Sequence, residues 1–569
     1  MTYPNPSTAL ATVVIDELVR GGVSLVVASP GSRSTALVLA VTAQSKADSV
    51  IAIDERSAGF HALGFAKATG RPAAVITTSG TAAANLLPAV VEADMAGIPL
   101  IAVSADRPPE LRGVGANQAI DQPGIYGTFV RASLDLGPAE VNPSAPRWWR
   151  SMVCQGLAAA SGFGGRPGPV HLNIGFREPT VAVSDDGRTR EEPYPWVDDG
   201  RPDGRPWTEA ITRPFAPVRL TEPLTDIIAR ARRGVIIAGG GVDGTGSIAE
   251  LGDHFGWPVL ATAESGLRGR GDVVSTGHHL AERVEPDLVI RFGSPGPSRR
   301  LLEMVSRPTP QVVVDPNWSD HARVARLLVP APPDQVALAL MDQVPPRPAD
   351  DWVKWWSQAD SAVIEALTPE LERTLTEPAA AAAVGASGAD LVVVGSSMPI
   401  RDVEAFAFSV PRVIGNRGAS GVDGFVSTAL GAARSVARPL ALTGDLSLLH
   451  DSNGFLVDRI PDCVLVVVDN GGGGIFSFLP QAEHVGEAFE RLFTTPHGRN
   501  LADLARFHGL RHSRAQTVDE LRRAIEAGWD DGGVSLVLVE TEREENVAEH
   551  RRLDRLALQA VAGVGPPPD

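Results

Sequence analysis

Short, continuous apolar runs recur along this chain of 569 residues, and glycine and small polar residues follow most of them. Ala73–Thr77, Leu391–Val394 and residues 463–468 are clear examples. Such runs are typical of strands that are buried on both faces of a parallel sheet. Helical stretches alternate with them, for example residues 81–95, where Ser79-Gly80-Thr81 is expected to form the capping turn. The pattern therefore predicts an α/β fold built from right-handed βαβ units.

The length of the chain exceeds what one hydrophobic core normally serves, so several domains are expected. Residues 1–183 and 352–569 each alternate strands with helices, and residues 207–344 form a Rossmann-like middle region. Residues 184–206 are rich in Asp, Glu, Arg, Gly and Pro and are predicted to be a linker. The sequence thus predicts three doubly wound domains with mostly parallel sheets.

The composition limits the functional classes. A net charge of −17 argues against a general nucleic-acid binder, which needs a basic face. Neither of the two cysteines suggests a disulfide framework, and no apolar run is long enough for membrane insertion. A cytoplasmic enzyme is expected. Arginine greatly outnumbers lysine, which favours bidentate recognition of carboxylates wherever a basic group lines a site.

Two turns in the last third of the chain carry metal-ligand chemistry. Gly444-Asp445-Leu446 follows the predicted strand 439–443, and Asp469-Asn470-Gly471-Gly472 follows the strand 463–468. Parallel strands present their carboxyl ends at one edge of a sheet, where ligands bind. Oxygen ligands of this kind suit Mg²⁺, which shares its coordination with substrate phosphates. Because Gly-Asp and Asn-Gly pairs also occur as ordinary loop closures, the turns alone leave both interpretations open.

The middle region holds a competing motif. Gly239, Gly241 and Gly244 have G-x-G-x-x-G spacing after an apolar strand, and Glu264 lies 20 positions beyond Gly244 (264 minus 244). This pattern indicates a dinucleotide fingerprint, and with it a nucleotide-dependent oxidoreductase. The alternative is that the glycines only turn a strand into a helix. A lone fingerprint is weak, so we favour a middle domain without a nucleotide.

The spacing of Asp445 and Asn470, 25 positions (470 minus 445), resembles the signature of thiamine-diphosphate enzymes. Leu446 stands where most of that superfamily has glycine, and Asp469-Asn470 replaces the usual Asn-Asn pair. The resemblance implies that Asp445, the Asn470 side chain and the Gly472 carbonyl hold Mg²⁺ or Mn²⁺ against the cofactor diphosphate. Asp469 is expected to have only a turn role.

Glu55 lies at the junction of a predicted strand and a helix rich in glycine and alanine. By position it matches the glutamate with which thiamine-diphosphate enzymes bind the pyrimidine ring of the cofactor. A plain first-turn acid, favoured by the helix dipole, is the alternative. In the superfamily the pyrimidine and diphosphate domains of different chains face each other, which implies a homodimer or homotetramer with active sites at the interface.

Four polar loops add arginines: residues 29–34, 104–120, 396–402 and 415–424. With residues 472–477 they resemble the 2-succinyl-5-enolpyruvyl-6-hydroxy-3-cyclohexene-1-carboxylate synthases of menaquinone biosynthesis. That family implies decarboxylation of 2-oxoglutarate and conjugate addition of the succinyl-semialdehyde carbanion to isochorismate. The residues carried over for isochorismate are Ser32, Arg33, Arg107, Asn117 and Gln118. Those for 2-oxoglutarate are Ser397 and Arg401, with Arg417 nearby.

The same resemblance gives Ile475 and Phe476 as an apolar wall, and assigns Ser396, Val422 and Ile475 to the cofactor. Arg299 is carried over to the substrate set less directly, because relatives have lysine there. None of the 12 histidines is assigned, and His278-His279 is expected to point apart on a strand. The alternatives left are another 2-oxo-acid carboligase, such as an acetolactate-synthase relative, and a non-catalytic regulatory binder.

Overall fold

The structure, a computed structural model, describes residues 5–140, 142, 144–181, 200–211, 220–242 and 246–568. Residues 184–199 of the predicted linker and Gly244 lie outside the described residues. The chain forms two compact units. The first unit comprises residues 1–214, 416–436 and 447–462, and the second comprises residues 215–415, 437–446 and 463–569.

The first sheet lies in the first unit and has six parallel strands in the order β2-β1-β3-β4-β6-β5. Its strands are β1 Leu25–Ala28, β2 Asp48–Ile51, β3 Ala73–Thr77, β4 Leu100–Asp106, β5 Ser133–Asp135 and β6 Val170–Gly175. Its helices are α1 Pro6–Arg20, α2 Thr35–Thr42, α3 Glu55–Thr69, α4 Thr81–Ala84, α5 Leu87–Ala96 and α6 Ala145–Ala160. Every residue of β1, β3, β4 and β6 is buried, as the continuous apolar runs predict.

The prediction of one helix over residues 81–95 is wrong, because α4 ends at Ala84 and α5 begins at Leu87. Pro88 has no N–H for a helical bond, so it fits the first turn of a new helix better than the interior of a longer one. The Ser79 side chain does not cap α4. Its hydroxyl donates to the Gln118 carbonyl at 3.0 Å, and Gly80 occupies the N-cap position.

The second sheet lies in the second unit and has five parallel strands in the order β11-β10-β9-β7-β8. The strands are β7 Gly234–Ala238, β8 Val259–Ala261, β9 Leu288–Phe292, β10 Gln311–Val314 and β11 Ala325–Val329. The helices are α7 Glu222–Arg230, α8 Ser247–Phe255, α9 Gly277–Leu280, α10 Arg299–Met304 and α11 Pro333–Gln343. His278 and His279 lie on the short helix α9, so the prediction of a strand there is wrong.

The third sheet, also in the second unit, has six parallel strands in the order β13-β12-β14-β15-β17-β16. The strands are β12 Leu391–Val394, β13 Arg412–Ile414, β14 Pro439–Gly444, β15 Cys463–Asp469, β16 Arg511–Arg514 and β17 Val534–Glu540. The helices in this part of the chain, of which α15 belongs to the first unit, are α12 Asp351–Arg373, α13 Glu377–Gly385, α14 Met398–Phe406, α15 Phe425–Ala433, α16 Asp445–His450, α17 Gln481–His484, α18 Leu501–Phe507, α19 Val518–Asp531 and α20 Arg543–Val564. Three parallel sheets with helices confirm the predicted α/β class.

The first and third sheets share one strand order, in which the first strand lies between the second and the third. From β1 the chain continues to β2 on one side and then returns to β3 on the other side of β1. It does the same around β12, with β13 on one side and β14 on the other. Such switch points leave a crevice at the carboxyl ends of the strands, where ligands bind in open α/β sheets. Candidate site residues are therefore expected at the carboxyl ends of the strands next to these two switch points.

Helix α15 follows β13 in the chain but belongs to the first unit, where it packs against α3. The two helices meet backbone to backbone at glycines. A Cβ atom added at Gly64 would lie 2.1 Å from the Thr428 carbonyl oxygen, and one at Gly431 would lie 1.9 Å from that of His61. Only glycine allows this approach.

Candidate functional site

The turn after β14 places Asp445 at the switch point of the third sheet, where its side chain is buried. Asp445 Oδ2 accepts the Gly472 N–H at 2.7 Å, and Oδ1 accepts the Leu446 N–H at 2.6 Å. Burial raises the pKa of Asp445. A carboxylate held in this way by backbone donors is a fixed, concentrated negative charge.

The turn after β15 brings the other predicted ligands to the same place. Gly472 has φ +146°, and a Cβ atom added there would lie 2.2 Å from the Thr494 carbonyl oxygen. A side chain is therefore excluded at this position. Asp469 Oδ1 accepts the Gly471 N–H at 3.2 Å, a contact within the turn.

Asn470 supplies the observation that tests whether a metal fits. Its Nδ2 atom donates to Glu377 Oε1 at 3.0 Å, whereas its Oδ1 atom is buried and has no hydrogen-bond partner in the described part of the chain. A buried amide oxygen without a partner is costly unless a ligand satisfies it. A hard cation beside Asp445 would do so, and the donor set is the oxygen chemistry that Mg²⁺ prefers.

The sequence analysis missed His497 at this turn. Its Nε2 atom lies 3.1 Å from Asp445 Oδ2 and 3.6 Å from Asp469 Oδ1. One ligand atom from each of these three residues lies within 4.8 Å of the others. No sequence spacing signals this contact, because His497 comes from a non-helical stretch after the turn. His278 and His279, which were predicted to point apart, lie away from this turn in the chain, and their rings contact each other edge to face with centroids 4.9 Å apart.

In the first unit, Glu55 is the first residue of α3, and Asp54 caps the helix by accepting the Arg56 N–H at 2.8 Å. Asp54 thus takes the capping role. Glu55 Oε2 instead accepts a hydrogen bond from Asn85 Nδ2 at 3.1 Å. The junction of strand and helix is where the sequence analysis predicted it, with a partly exposed carboxylate.

Loops after β1, β3 and β4 converge at the switch point of the first sheet. Gln118 Nε2 donates to the Ser79 carbonyl at 2.8 Å, and Arg107 Nε donates to the Asn117 carbonyl at 3.1 Å. Gln118 has φ +55°, an uncommon conformation for a residue with a side chain. Ser32 is exposed at the end of the loop that follows β1. The predicted isochorismate residues therefore lie on neighbouring loops.

Arg33 and Arg107 form the most unusual electrostatic feature of these loops. Both are buried, and burial together with the Arg33 charge lowers the pKa of Arg107. Arg33 Nη1 is satisfied by the Phe176 carbonyl at 3.1 Å and by Glu178 at 2.9 Å. Among the residues that the structure describes, Arg33 Nε and Arg107 Nη1 have no hydrogen-bond partner, and both atoms are buried. Two neighbouring cations with unused donors indicate an anion-binding site.

At the switch point of the third sheet, Ser396 and Ser397 follow β12. Ser397 has φ +78°, and its carbonyl accepts a hydrogen bond from Arg401 Nη1 at 2.5 Å. A positive φ at serine is a strained conformation of the kind that collects at ligand sites. This geometry places Arg401 on the first turn of α14 and beside the strained residue.

The remaining predicted residues differ in their surroundings. Ile475 and Phe476 lie on a short 3₁₀ helix after the turn of residues 469–472, and the Phe476 ring contacts that of Phe493 with centroids 5.5 Å apart. Arg299 is 88% exposed in its side chain and pairs with Glu303 on the same helix at 2.8 Å. The structure thus gives Arg299 an ion pair at the surface.

Arg417 and Val422 lie in the first unit, on the loop before α15, where Val422 is exposed. Glu92 of α5 fixes this loop: its two carboxylate oxygens accept the N–H groups of Gly418 and Ala419 at 2.9 and 2.7 Å. Lys67 of α3 in turn donates to Glu92 at 2.6 Å. This buried pair was not visible in the sequence.

Gly239, the first glycine of the predicted dinucleotide fingerprint, is used for packing. A Cβ atom added at Gly239 would lie 1.7 Å from the Ser294 carbonyl oxygen, and the Gly240 N–H donates to that oxygen at 3.1 Å. These contacts join the end of β7 to the loop after β9. A close strand-to-strand contact explains the glycine at position 239 without a nucleotide.

Residues 8–125 match the family described as "Thiamine pyrophosphate enzyme, N-terminal TPP binding domain". The 2-succinyl-5-enolpyruvyl-6-hydroxy-3-cyclohexene-1-carboxylate synthase of Saccharopolyspora erythraea is 41% identical, covering 98% of this chain and all of that protein. The synthase of Thermobifida fusca is also 41% identical, covering 98% of this chain and 99% of that protein. The chain belongs to this synthase family.

Membership of the synthase family makes the chain a thiamine-diphosphate enzyme, as predicted. Among solved structures, a benzoylformate decarboxylase from Polynucleobacter necessarius superposes with a TM-score of 0.67 over 94% of this chain and 98% of its own. At 17% identity this likeness shows the fold alone. Within the described residues, no helix combines the length and apolar character needed to cross a membrane.

Proposed function

We propose that this synthase-family chain decarboxylates 2-oxoglutarate and adds the remaining four-carbon unit to isochorismate by conjugate addition. The products would be 2-succinyl-5-enolpyruvyl-6-hydroxy-3-cyclohexene-1-carboxylate and carbon dioxide, as a step of menaquinone biosynthesis. The buried pair Arg33 and Arg107 carries the proposal, because two neighbouring guanidinium groups with unused donors favour a carboxylate ligand. A carboligase for small, weakly anionic substrates has no need of such a pair.

Asp445, Asn470 and Gly472 would hold Mg²⁺ or Mn²⁺ against the cofactor diphosphate. Support comes from the unpartnered Asn470 Oδ1 atom and from the turn that brings Asp445 and Gly472 together. When bound, thiamine diphosphate supplies the nucleophilic carbon and accepts the electrons released by decarboxylation. The chain's part is to orient and polarise it: Glu55 would accept a hydrogen bond from the pyrimidine ring, with Asn85 fixing the carboxylate.

The substrate residues divide into two sets, one for each of the two substrates. Arg33 and Arg107, with Ser32, Asn117 and Gln118, would bind the carboxylates of isochorismate. Ser397 and Arg401 would bind 2-oxoglutarate, with Arg417 as a further cation. Ile475 and Phe476 would supply apolar surface that excludes water, and Ser396 and Val422 would contact the cofactor. The role of Arg299 in substrate binding stays a prediction. The cytoplasmic location and the assembly into a homodimer or homotetramer also stay predictions.

The test is an assay of purified protein with thiamine diphosphate, Mg²⁺ and 2-oxoglutarate, with and without isochorismate. We expect isochorismate to be consumed together with release of carbon dioxide, and both to depend on added thiamine diphosphate. Turnover of pyruvate that does not depend on isochorismate would support the acetolactate-synthase alternative instead. Activity without thiamine diphosphate would refute the proposal.

Variants separate the two substrate sets. Arg107→Met should raise the KM for isochorismate, because truncation of a buried cation leaves a carboxylate without its partner. Arg401→Ala should mainly raise the KM for 2-oxoglutarate. If each variant instead affects the other substrate, the two sets are exchanged.

A further inference from the structure

Glu377 is a carboxylate in an unexpected place. It is the first residue of α13, after the N-cap Thr376, where acidic side chains usually lie at the surface and interact with the helix dipole. Here the residue is only 3% exposed. Its Oε1 atom accepts two hydrogen bonds, from Asn470 Nδ2 and from Thr541 Oγ1, each at 3.0 Å.

These hydrogen bonds determine which end of the Asn470 amide faces the metal turn. The carboxylate oxygen of Glu377 is an acceptor, so the NH₂ group of Asn470 faces Glu377 and the amide oxygen faces away. That oxygen, Oδ1, is the buried atom without a partner. A reversed amide would put its NH₂ group toward the cation and its oxygen against a carboxylate.

Close packing against the backbone also limits movement of the Asn470 amide. A Cβ atom added at Gly474 would lie 2.5 Å from Asn470 Nδ2, so the amide rests directly on the backbone of the following turn. Thr541 comes directly after β17, and its hydroxyl holds the Glu377 oxygen from the other side. Glu377 and the Gly474 backbone therefore hold the Asn470 amide in place.

We propose that Glu377 is a positioning residue that fixes the Asn470 amide so that its oxygen faces the metal ion. Glu377 itself contacts neither the metal nor a substrate. Partners of this kind, which orient a metal ligand, typically contribute about 10- to 100-fold in metal affinity. The inference rests on the proposed metal role of Asn470, and the experiment distinguishes the two.

The experiment is a titration of the intact protein with Mn²⁺ in saturating thiamine diphosphate, in which electron paramagnetic resonance measures free Mn²⁺. Glu377→Met removes the acceptor and keeps the bulk, so we expect the Mn²⁺ dissociation constant to rise by about 10- to 100-fold. Glu377→Gln can still offer an amide oxygen to Asn470, so we expect a dissociation constant within about threefold of wild type. This rescue is not expected of a carboxylate that acts through its charge.

Thr541→Val is the matched control, because it removes the other hydrogen bond to the same Glu377 oxygen. It should lower the melting temperature but leave Mn²⁺ affinity within about threefold, since Asn470 keeps its partner. Asn470→Ala tests the metal role itself: unchanged Mn²⁺ affinity in that variant would refute the proposed metal site.

If Asn470→Ala loses Mn²⁺ but Glu377→Met binds it as wild type does, the metal role stands and the positioning role of Glu377 is refuted. A Glu377→Gln variant as weak as Glu377→Met would also refute it. Where Glu377→Met does not fold, Glu377→Ala replaces it with the same expectation. If neither folds, Glu377 serves the fold rather than the amide, and the proposal is withdrawn.

Discussion

Replacement of Lys67 by methionine should destabilise the first unit and loosen the loop that carries Arg417. Lys67 and Glu92 form an ion pair at 2.6 Å, with side chains only 6% and 3% exposed. Methionine preserves the apolar length of the lysine but leaves the Glu92 carboxylate buried without a countercharge. Among the described residues, the carboxylate then keeps the N–H groups of Gly418 and Ala419 as its donors.

The magnitude follows from the state of Glu92 after the change. Loss of one partner from a buried ion pair typically costs about 3–5 kcal/mol, because the other charge remains buried. The two backbone hydrogen bonds still stabilise the carboxylate, so we expect the lower end, about 3 kcal/mol. At about 1.4 kcal/mol for each factor of ten, the unfolding equilibrium of the first unit shifts by roughly 100-fold.

The other lysines provide the controls. Lys46 is exposed, and Lys354 forms a surface pair with Asp351 in which its side chain is 62% exposed, so Lys46→Met and Lys354→Met should each cost under about 1 kcal/mol. Urea unfolding measures the stability of all three variants, and hydrogen exchange measures protection of the Gly418 and Ala419 amides. A Lys67→Met variant as stable as the two controls would show that the buried pair does not hold this loop.

Three further predictions concern the cofactor and the histidines. Glu55→Gln should fold normally yet lose nearly all activity, because an amide cannot take the carboxylate's part at the pyrimidine ring; near-normal turnover would remove Glu55 from that role. Gly472→Ala should abolish Mn²⁺ binding in the titration described above, because the added Cβ atom meets the Thr494 carbonyl oxygen at 2.2 Å; wild-type affinity would contradict the proposed turn geometry. Burial lowers the pKa of His61 to about 3 and that of His171 to about 4, from 6.5, so the unfolded chain binds protons first. These two histidines should therefore lower the free energy of unfolding as the pH falls below 6.5, by about 1 kcal/mol each at pH 5.5, and His61→Phe and His171→Phe variants whose urea unfolding keeps the wild-type slope between pH 7 and 5.5 would contradict this.

The sequence predicted most strands because local apolar pattern determines them. Ala73–Thr77 and Leu391–Val394 have the predicted bounds, since strands buried on both faces are continuous apolar runs. The prediction of one helix over residues 81–95 was wrong because the helix-favouring composition of this stretch gives no sign of the break before Pro88. The strand at His278-His279 was wrong because a helix of four residues has no periodicity to detect.

At the site, motifs found the residues that lie on turns next to strand ends, such as Asp445 and Asn470. They could not find His497, because its contact with Asp445 depends on how a long segment returns to the turn. Glu377 was missed for the same reason, since 93 positions separate it from Asn470. Partners distant in sequence leave no spacing signal, and only the folded chain shows them.

The packing of α15 against α3 has a consequence for synthesis on the ribosome. Every residue of α15 is buried, and its partner helix precedes it by more than 350 positions (425 minus 69). While the chain emerges, the surface of α3 that α15 covers, including the backbone at Gly64, stays uncovered until α15 has been translated. The amino-terminal unit therefore completes its core late, after residues of the second unit have been made, so the nascent chain displays an aggregation-prone surface for most of its elongation.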